Sequence, residues 1–216
     1  MRLRRHWRIE AAVVALILAV TAALTQVRPA AAAGTTVEEV VDGDTIRLSD
    51  GQKVRYLLVD TPERGDAMYE AAASANQDLV KGRPVRLELD ADSKDDYGRT
   101  LAYVFVADDQ GNERFVNAEL VRQGFALLYV VGENEARRDE ILAAQREAAQ
   151  AGRGLWERLS KEEASGPFVG GYGKSARHRF HRPSCESVKD PKGMKSFATK
   201  REALLDGRSP CRKCKP

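Results

Sequence analysis

The sequence predicts an α+β protein: a small, closed or nearly closed barrel of five short strands, about three helices, and a compact basic module after them. Three observations carry this reading. Short β-patterned runs, cut by turn residues such as Asp42-Gly43 and Asp50-Gly51, occupy Thr36 to Phe105. Alanine-rich segments that stop at glycine interrupt and follow them. All three cysteines fall in the last 51 residues.

In chain order, "MRLRRHWRIE" is basic and Ala11 to Val27 is an uncharged stretch of 17 residues, followed by "RPAAAAG". Basic, apolar and small-residue segments in that order predict a cleaved signal peptide over residues 1–33, with an uncleaved N-terminal anchor as the alternative. Either outcome places the rest of the chain outside the cytoplasm, secreted or in the cell envelope.

The five strands are read from "VEEVVDG", "DTIRLSDG", "KVRYLLVD", "RPVRLELD" and "RTLAYVFV". The helices are read from "DAMYEAAASANQDLVKG", "NAELVRQGF" and "NEARRDEILAAQREAAQAG", the last carrying Ile141, Ala144 and Ala148 on one face. A main domain over 35–158, a flexible linker over 159–172 and a small module over 173–216 complete the plan. An apolar content of 43% is enough for a packed core and excludes a disordered chain.

The net charge of +3 conceals a bipolar chain. Residues 1–33 hold five arginines against one acid, +4, and residues 166–216 hold thirteen Lys and Arg against four acids, +9; residues 34–165 therefore stand at −10. A basic tail on an acidic body suits a polyanionic partner, although charge runs are more often simply solvated.

Oxygen-bearing side chains gather at two strand ends. Pro62 ends the "VRYLLV" run and restricts Thr61, leaving Asp60 and Glu63 at a rigid exit. Asp42 and Asp44 flank Gly43 at a second junction, and the whole set suits a hard cation. Strict alternation would send Arg55 and Asp60 to opposite faces, so they share a site only where the regular pleat has ended. Arg55, and Arg99 after Gly98, add what phosphodiester chemistry uses: guanidinium groups for charge on phosphorus and a spare carboxylate for the attacking water.

The blocks "VVDGDTIRL", "VRYLLVDTPE", "YEAAASAN", "LELD…DDYGRTLAYVFV", "VNAELVRQGFA" and "GRGLW" resemble, in order and spacing, the thermonuclease or staphylococcal-nuclease-like family over roughly Thr36 to Trp156. The resemblance implies a five-stranded OB-type barrel and calcium-dependent hydrolysis of DNA and RNA, leaving 3′-phosphate and 5′-hydroxyl ends. It puts the calcium ligands on Asp44, Asp60 and the backbone oxygen of Thr61, and the catalytic residues on Arg55, Glu63 and Arg99. Asp42 matches a turn or supporting position. Tyr97 and Tyr129 match tyrosines that bind substrate, while Val131 stands where a further tyrosine is expected. The competing reading is a non-catalytic nucleic-acid-binding module on the same barrel, for which the intact acidic and basic set would have no use. In either case the partner is DNA or RNA, with no obligate protein partner and a monomeric chain expected.

In the tail, His181 and Cys185 are separated by three residues, and Cys211 and Cys214 by two. Two close pairs of such ligands suit a tetrahedral structural zinc of Cys3His type, with His181 preferred to His178 because the Pro183 turn brings it toward Cys185. A disulfide plus a free thiol is the alternative, disfavoured by the odd cysteine count. The segment is similar to the small metal-binding module of DNA-alkylation-repair proteins.

Overall fold

In the computed structural model the described residues are 35–108, 110–160, 166–171 and 178–216. The N-terminal segment read as a signal peptide or anchor lies outside them. Among the described residues no helix is long and apolar enough to cross a membrane.

The β-patterned runs of the first half become β1 (Val37–Val40), β2 (Thr45–Leu48) and β3 (Lys53–Tyr56). The third run does not stay one strand: it breaks at Leu57-Leu58 and restarts as β4 (Val59–Asp60). Beyond it come β5 (Val85–Glu88), β6 (Thr100–Ala107) and a strand absent from the sequence reading, β7 (Glu113–Phe115). The main sheet runs β1-β2-β3-β6-β5, with β7 also on β6. β3 and β6 are parallel, Val54 opposite Thr100, and the other ladders are antiparallel.

Of the expected closed or nearly closed five-stranded barrel, the described residues form a six-stranded sheet with no closing ladder among them. β1 and β5 meet at one bridge, Thr36 with Pro84, flanked by the bonds from Val37 N to Arg83 O and from Val85 N to Thr35 O. Pro84 has no N–H to extend the pairing. The result is an OB-type arrangement of mixed α and β content whose seam is short.

Three helices lie where alanine-rich patterning predicts them: α1 (Tyr69–Val80), α2 (Val116–Arg122) and α3 (Arg138–Gln150). Two more, α4 (Leu155–Leu159) and α5 (Lys200–Leu205), raise the described total to five. Between α2 and α3, Leu127–Leu128 forms β8, which pairs antiparallel with β4, Asp60 opposite Leu127. β6 is buried along all but its last residue and forms the spine of the main core, against which α1 sets Leu79 and Val80, and α3 sets Ile141 and Ala144.

The tail forms β9 (Phe168–Gly170), β10 (Arg179–Phe180), β11 (Lys195–Phe197) and β12 (Ser209–Pro210) besides α5. Phe168, inside the span expected to be a linker, is fully buried and pairs opposite Phe197 on β11. A second apolar core joins Ala148, Ala149 and Trp156 of the body to Phe168, Phe180, Phe197, Ala203 and Leu204 of the tail. Gln145, buried in α3, clamps the seam by accepting from Leu128 N at 2.7 Å and donating to Leu204 O at 2.7 Å. The tail thus completes its small core by sharing a face of α3, which explains how so short a segment packs.

Asn117 is the polar pin of the main core. It is fully buried, its Oδ1 accepting from Val104 N at 2.9 Å and its Nδ2 donating to Leu57 O at 2.8 Å. Replacement by alanine strands two buried backbone groups, so Asn117→Ala should lower the unfolding free energy by about 3 kcal/mol, measured by chemical denaturation.

Candidate active site and metal cluster

The condition that would let Arg55 and Asp60 share a site is met by one turn. β3 ends at Tyr56, and Leu58 takes φ 62°, the left-handed region. The turn resets the side-chain alternation, so Asp60 on β4 comes back to the face of Arg55. A left-handed Leu costs about 1–2 kcal/mol. Its side chain is 3% exposed, however, and burying a leucine contributes about 1.5–3 kcal/mol, which a glycine there would forgo. Ala102 O accepts from Leu57 N at 3.0 Å and Leu58 O accepts from Tyr129 N at 2.9 Å, fixing both turn residues.

Arg55 then bridges two carboxylates. Its Nη1 lies 2.8 Å from Asp44 Oδ2 and its Nη2 lies 3.4 Å from Asp60 Oδ1. Asp44 is buried, and Thr61 binds the same Oδ2 twice, through its backbone N at 3.0 Å and its hydroxyl at 2.9 Å. Burial pushes the Asp44 carboxyl up to about 7, against the opposing pull of Arg55 and the Thr61 hydrogen bonds. Burial raises Asp60 as well, while Arg55 and Arg212 draw it down. The pocket is thus doubly acidic and demands positive charge, met here by Arg55. A hard divalent cation meets the same demand, and Asp44, Asp60 and Thr61 offer it only oxygen ligands.

The remaining expected residues are distributed around this pair. Glu63 is exposed on the loop after β4, its backbone N held by Asp66 Oδ2 at 3.1 Å. It shares a cavity of about 360 Å³ with Asp60, Leu128, Tyr129 and, from the tail, Pro210. Arg99 is engaged by Asp95 rather than by the Asp44–Asp60 pair: Asp95 Oδ2 accepts from its Nε at 2.6 Å. Asp95 Oδ1 accepts from Arg99 N at 2.9 Å and Tyr97 N at 3.0 Å, which fixes the turn. Tyr97 is 85% exposed, whereas Tyr129 is buried at 7%. Val131 is 54% exposed, leaving no ring where a further tyrosine was expected.

In the tail, the ligand atoms of His181, Cys185, Cys211 and Cys214 all lie within 4.8 Å of one another. All three cysteines are free, which sets aside the disulfide alternative in this structure. His181 Nδ1 is buried without a hydrogen-bond partner among the described residues. A tetrahedral zinc with bonds of ~2.3 Å spaces sulfur atoms about 3.8 Å apart, so a small contraction would seat it. His178 turns elsewhere, its Nε2 standing 3.0 Å from Glu135 Oε1.

A profile described as Staphylococcal nuclease homologue matches residues 53–158. The thermonuclease of Staphylococcus intermedius is 39% identical over 131 residues, which is 56% of this chain and 75% of that protein. The chain belongs to the staphylococcal nuclease family. Two further members are the thermonuclease of Staphylococcus hyicus, 36% identical over 129 residues covering 56% of this chain and 73% of that protein, and the endonuclease YncB of Bacillus subtilis. YncB is 35% identical over 134 residues, covering 57% of this chain and 61% of its own length. The family profile takes in Arg55, Asp60, Thr61, Glu63, Tyr97, Arg99 and Tyr129 and ends before the His/Cys cluster.

Sequence reasoning missed the residues that hold this nuclease-family site in place. Asn76, fully buried in α1, accepts from the Tyr56 hydroxyl at 2.9 Å and donates to Asp42 O at 2.9 Å, tying the Asp42–Asp44 loop to β3. An amide inside an alanine-rich helix, where it is a poor helix former, was the available signal. Arg179 and Arg212 reach the site from the tail, and no spacing rule announces that. Gly43 is needed for more than a turn: a Cβ there would meet Thr61 Oγ1 at 2.7 Å and Thr61 Cβ at 2.8 Å. Gly43→Ala should push Thr61 off Asp44 and cost about 1–3 kcal/mol of stability by denaturation. In the same variant the Thr61 amide resonance should shift strongly in an NMR spectrum, while that of a remote residue such as Asn112 stays in place.

Proposed function

We propose that the chain is an exported, calcium-dependent endonuclease that hydrolyses phosphodiester bonds of DNA and RNA, leaving 3′-phosphate and 5′-hydroxyl ends. The observation that carries the reading is Arg55 joined to both Asp44 and Asp60 at a strand break, in a member of the staphylococcal nuclease family. Relatives described as thermonucleases and an endonuclease support it. Export rests on the basic, apolar and small-residue order of the first 34 residues.

Asp44, Asp60 and the backbone oxygen of Thr61 hold calcium, which when bound supplies positive charge beside the scissile phosphate. Glu63, exposed on its loop, takes the proton of the attacking water. The water oxygen joins phosphorus, the bond from phosphorus to the 5′ oxygen breaks, and that oxygen takes a proton from solvent to leave as the 5′-hydroxyl. Arg55 and Arg99 stabilise the charge gathered on the non-bridging oxygens through paired hydrogen bonds that lysine could not reproduce. For Arg99 this requires leaving Asp95, which holds it in the substrate-free protein. The tail holds a structural zinc at His181, Cys185, Cys211 and Cys214, a reading supported by three free cysteines and the unpartnered His181 Nδ1.

Incubation with plasmid DNA and with RNA should give cleavage in calcium and none after chelation. Glu63→Gln keeps the shape but not the base, and turnover should fall about 10²–10⁴-fold with calcium binding retained. Nucleic acid bound but never cut by the wild-type chain would turn the assignment to a binding module.

The pH response follows from Asp44. Its carboxyl is raised from 3.8 to about 7, so a proton competes with calcium below that value. Apparent calcium affinity should rise as pH climbs from about 6 to about 8, with protons released on binding, both measurable by titration calorimetry. A raised folded-state value also makes the ion-free protein lose stability between about pH 4 and pH 7, since the unfolded chain yields the proton first. Calcium should offset that loss above pH 7.

A further inference from the structure

Two guanidinium groups of the tail stand over the active site. Arg212, between the paired cysteines Cys211 and Cys214, places its Nη2 3.2 Å from Asp60 Oδ1 and its guanidinium 4.8 Å from the centre of the Tyr129 ring. Arg179 lies 4.1 Å from the same ring centre, its Nη2 donating to Val130 O at 2.6 Å. Burial, and after it the nearby Arg212 charge, lower the Arg179 guanidinium from its ordinary value. One carboxylate oxygen, Asp60 Oδ1, is shared between Arg212 and Arg55, so two guanidinium groups draw on one acidic oxygen, with Glu63 adding negative charge near Arg212.

Their placement is built into the backbone. β12 pairs parallel with β10, Ser209 opposite Arg179, and Cys211 N donates to Phe180 O at 3.0 Å. The buried Ser209 hydroxyl donates to Leu128 O at 2.8 Å, on the strand that pairs with Asp60's strand. A continuous hydrogen-bonded path therefore runs from the His/Cys cluster to β4. The Arg212 side chain is 65% exposed, its guanidinium reaching Asp60 Oδ1 through Nη2 and also hydrogen-bonding Tyr129, and so presents a face to solvent that an anion can approach.

We propose that the tail is part of the substrate site: Arg212 and Arg179, set in position by the His/Cys cluster, bind a phosphate of the nucleic acid strand next to the one that is cut. This rests on the nuclease reading. Once Asp60 is engaged by a cation, Arg212 loses its acidic partner and faces the groove with Arg179, and a phosphodiester restores the balance of charge. Arg212 and Arg179 are accordingly binding residues that hold the strand, with the chemistry left to Glu63, Arg55 and Arg99.

The test uses the full chain. In a Glu63→Gln background with calcium present, a fluorescein-labelled twelve-residue oligothymidylate reports affinity by anisotropy across a salt series. Adding Arg212→Ala should weaken binding about tenfold and lower the slope of log affinity against log salt by about 0.7, the loss of one phosphate contact on a single strand. In the cleaving chain, Arg212→Ala should raise KM about tenfold with kcat within about twofold, and Arg212→Lys should recover part of the loss. Cys214→Ser, which loosens the loop carrying Arg212, should reproduce the Arg212→Ala effect on the oligonucleotide. Unchanged oligonucleotide affinity and salt slope in Arg212→Ala would overturn the proposal. So would tighter calcium binding with faster cleavage in that variant, which would make Arg212 a blocker of the cation site. A wild-type chain that binds the oligonucleotide through Arg212 and never cleaves would instead remove the nuclease reading and leave this one standing.

Discussion

Leu58, at a backbone angle of φ 62°, is the constraint on which the site depends. Without that turn β3 would continue through residue 60 and point Asp60 away from Arg55. With it, both carboxylates face one guanidinium. The strain is local and small, and it is over-determined from three directions: Ala102 and Asn117 fix Leu57, while Tyr129 fixes Leu58. Those partners lie in β6, in α2 and directly after β8. The β-sheet, α2 and the segment that follows β8 therefore have to be in place before the acidic pair exists.

That dependence explains why so much polar bonding is buried near the pair. Asn117 satisfies the Leu57 carbonyl at the strand break and Asn76 the Asp42 carbonyl in the loop before β2, and both amides are fully buried. Thr61 spends its amide and hydroxyl on a single oxygen of Asp44. A buried carboxylate with several donors and one arginine is stable only while all of them are present. Rigidity of this kind keeps two acidic groups at a fixed separation, as a cation with few protein ligands requires.

The sequence made a large part of this legible. Five strand positions, three helices and the acidic strand ends at Asp44 and Asp60 follow from local pattern and from Pro62, because each is decided within a few residues, whereas a site shared by Arg55 and Asp60 was legible only as a condition. The His181–Cys185 and Cys211–Cys214 pairs were legible for the same reason. What escaped is non-local. The break at Leu57-Leu58 carries no glycine or proline, since packing of Leu58 decided it against local preference. β7, β8 and β9 are strands of two or three residues whose existence depends on their partners. Phe168 sits in a glycine-rich stretch that reads as linker, and only the face of α3 that it helps to cover makes it core.

The tail shows the cost of judging a segment by its own composition. With a charge of +9 it reads as a basic module suited to a polyanion, yet several of its arginines are already committed. Arg208 pairs with Asp206 and donates to Gly171 O, and Arg201 lies 5.5 Å from the Trp156 ring and donates to Ala149 O. Charge that is spent on folding is not available for a polyanion at long range. Arg212 differs because its acidic partner, Asp60, already has Arg55. A cation held by Asp44 and Asp60 would loosen the bond to Arg212 and leave the second core and the Gln145 clamp untouched, since neither contains Asp60. The body and the tail therefore meet at a permanent seam along α3, apolar and hydrogen-bonded, and at the Arg212–Asp60 contact, whose strength depends on what occupies the acidic pair.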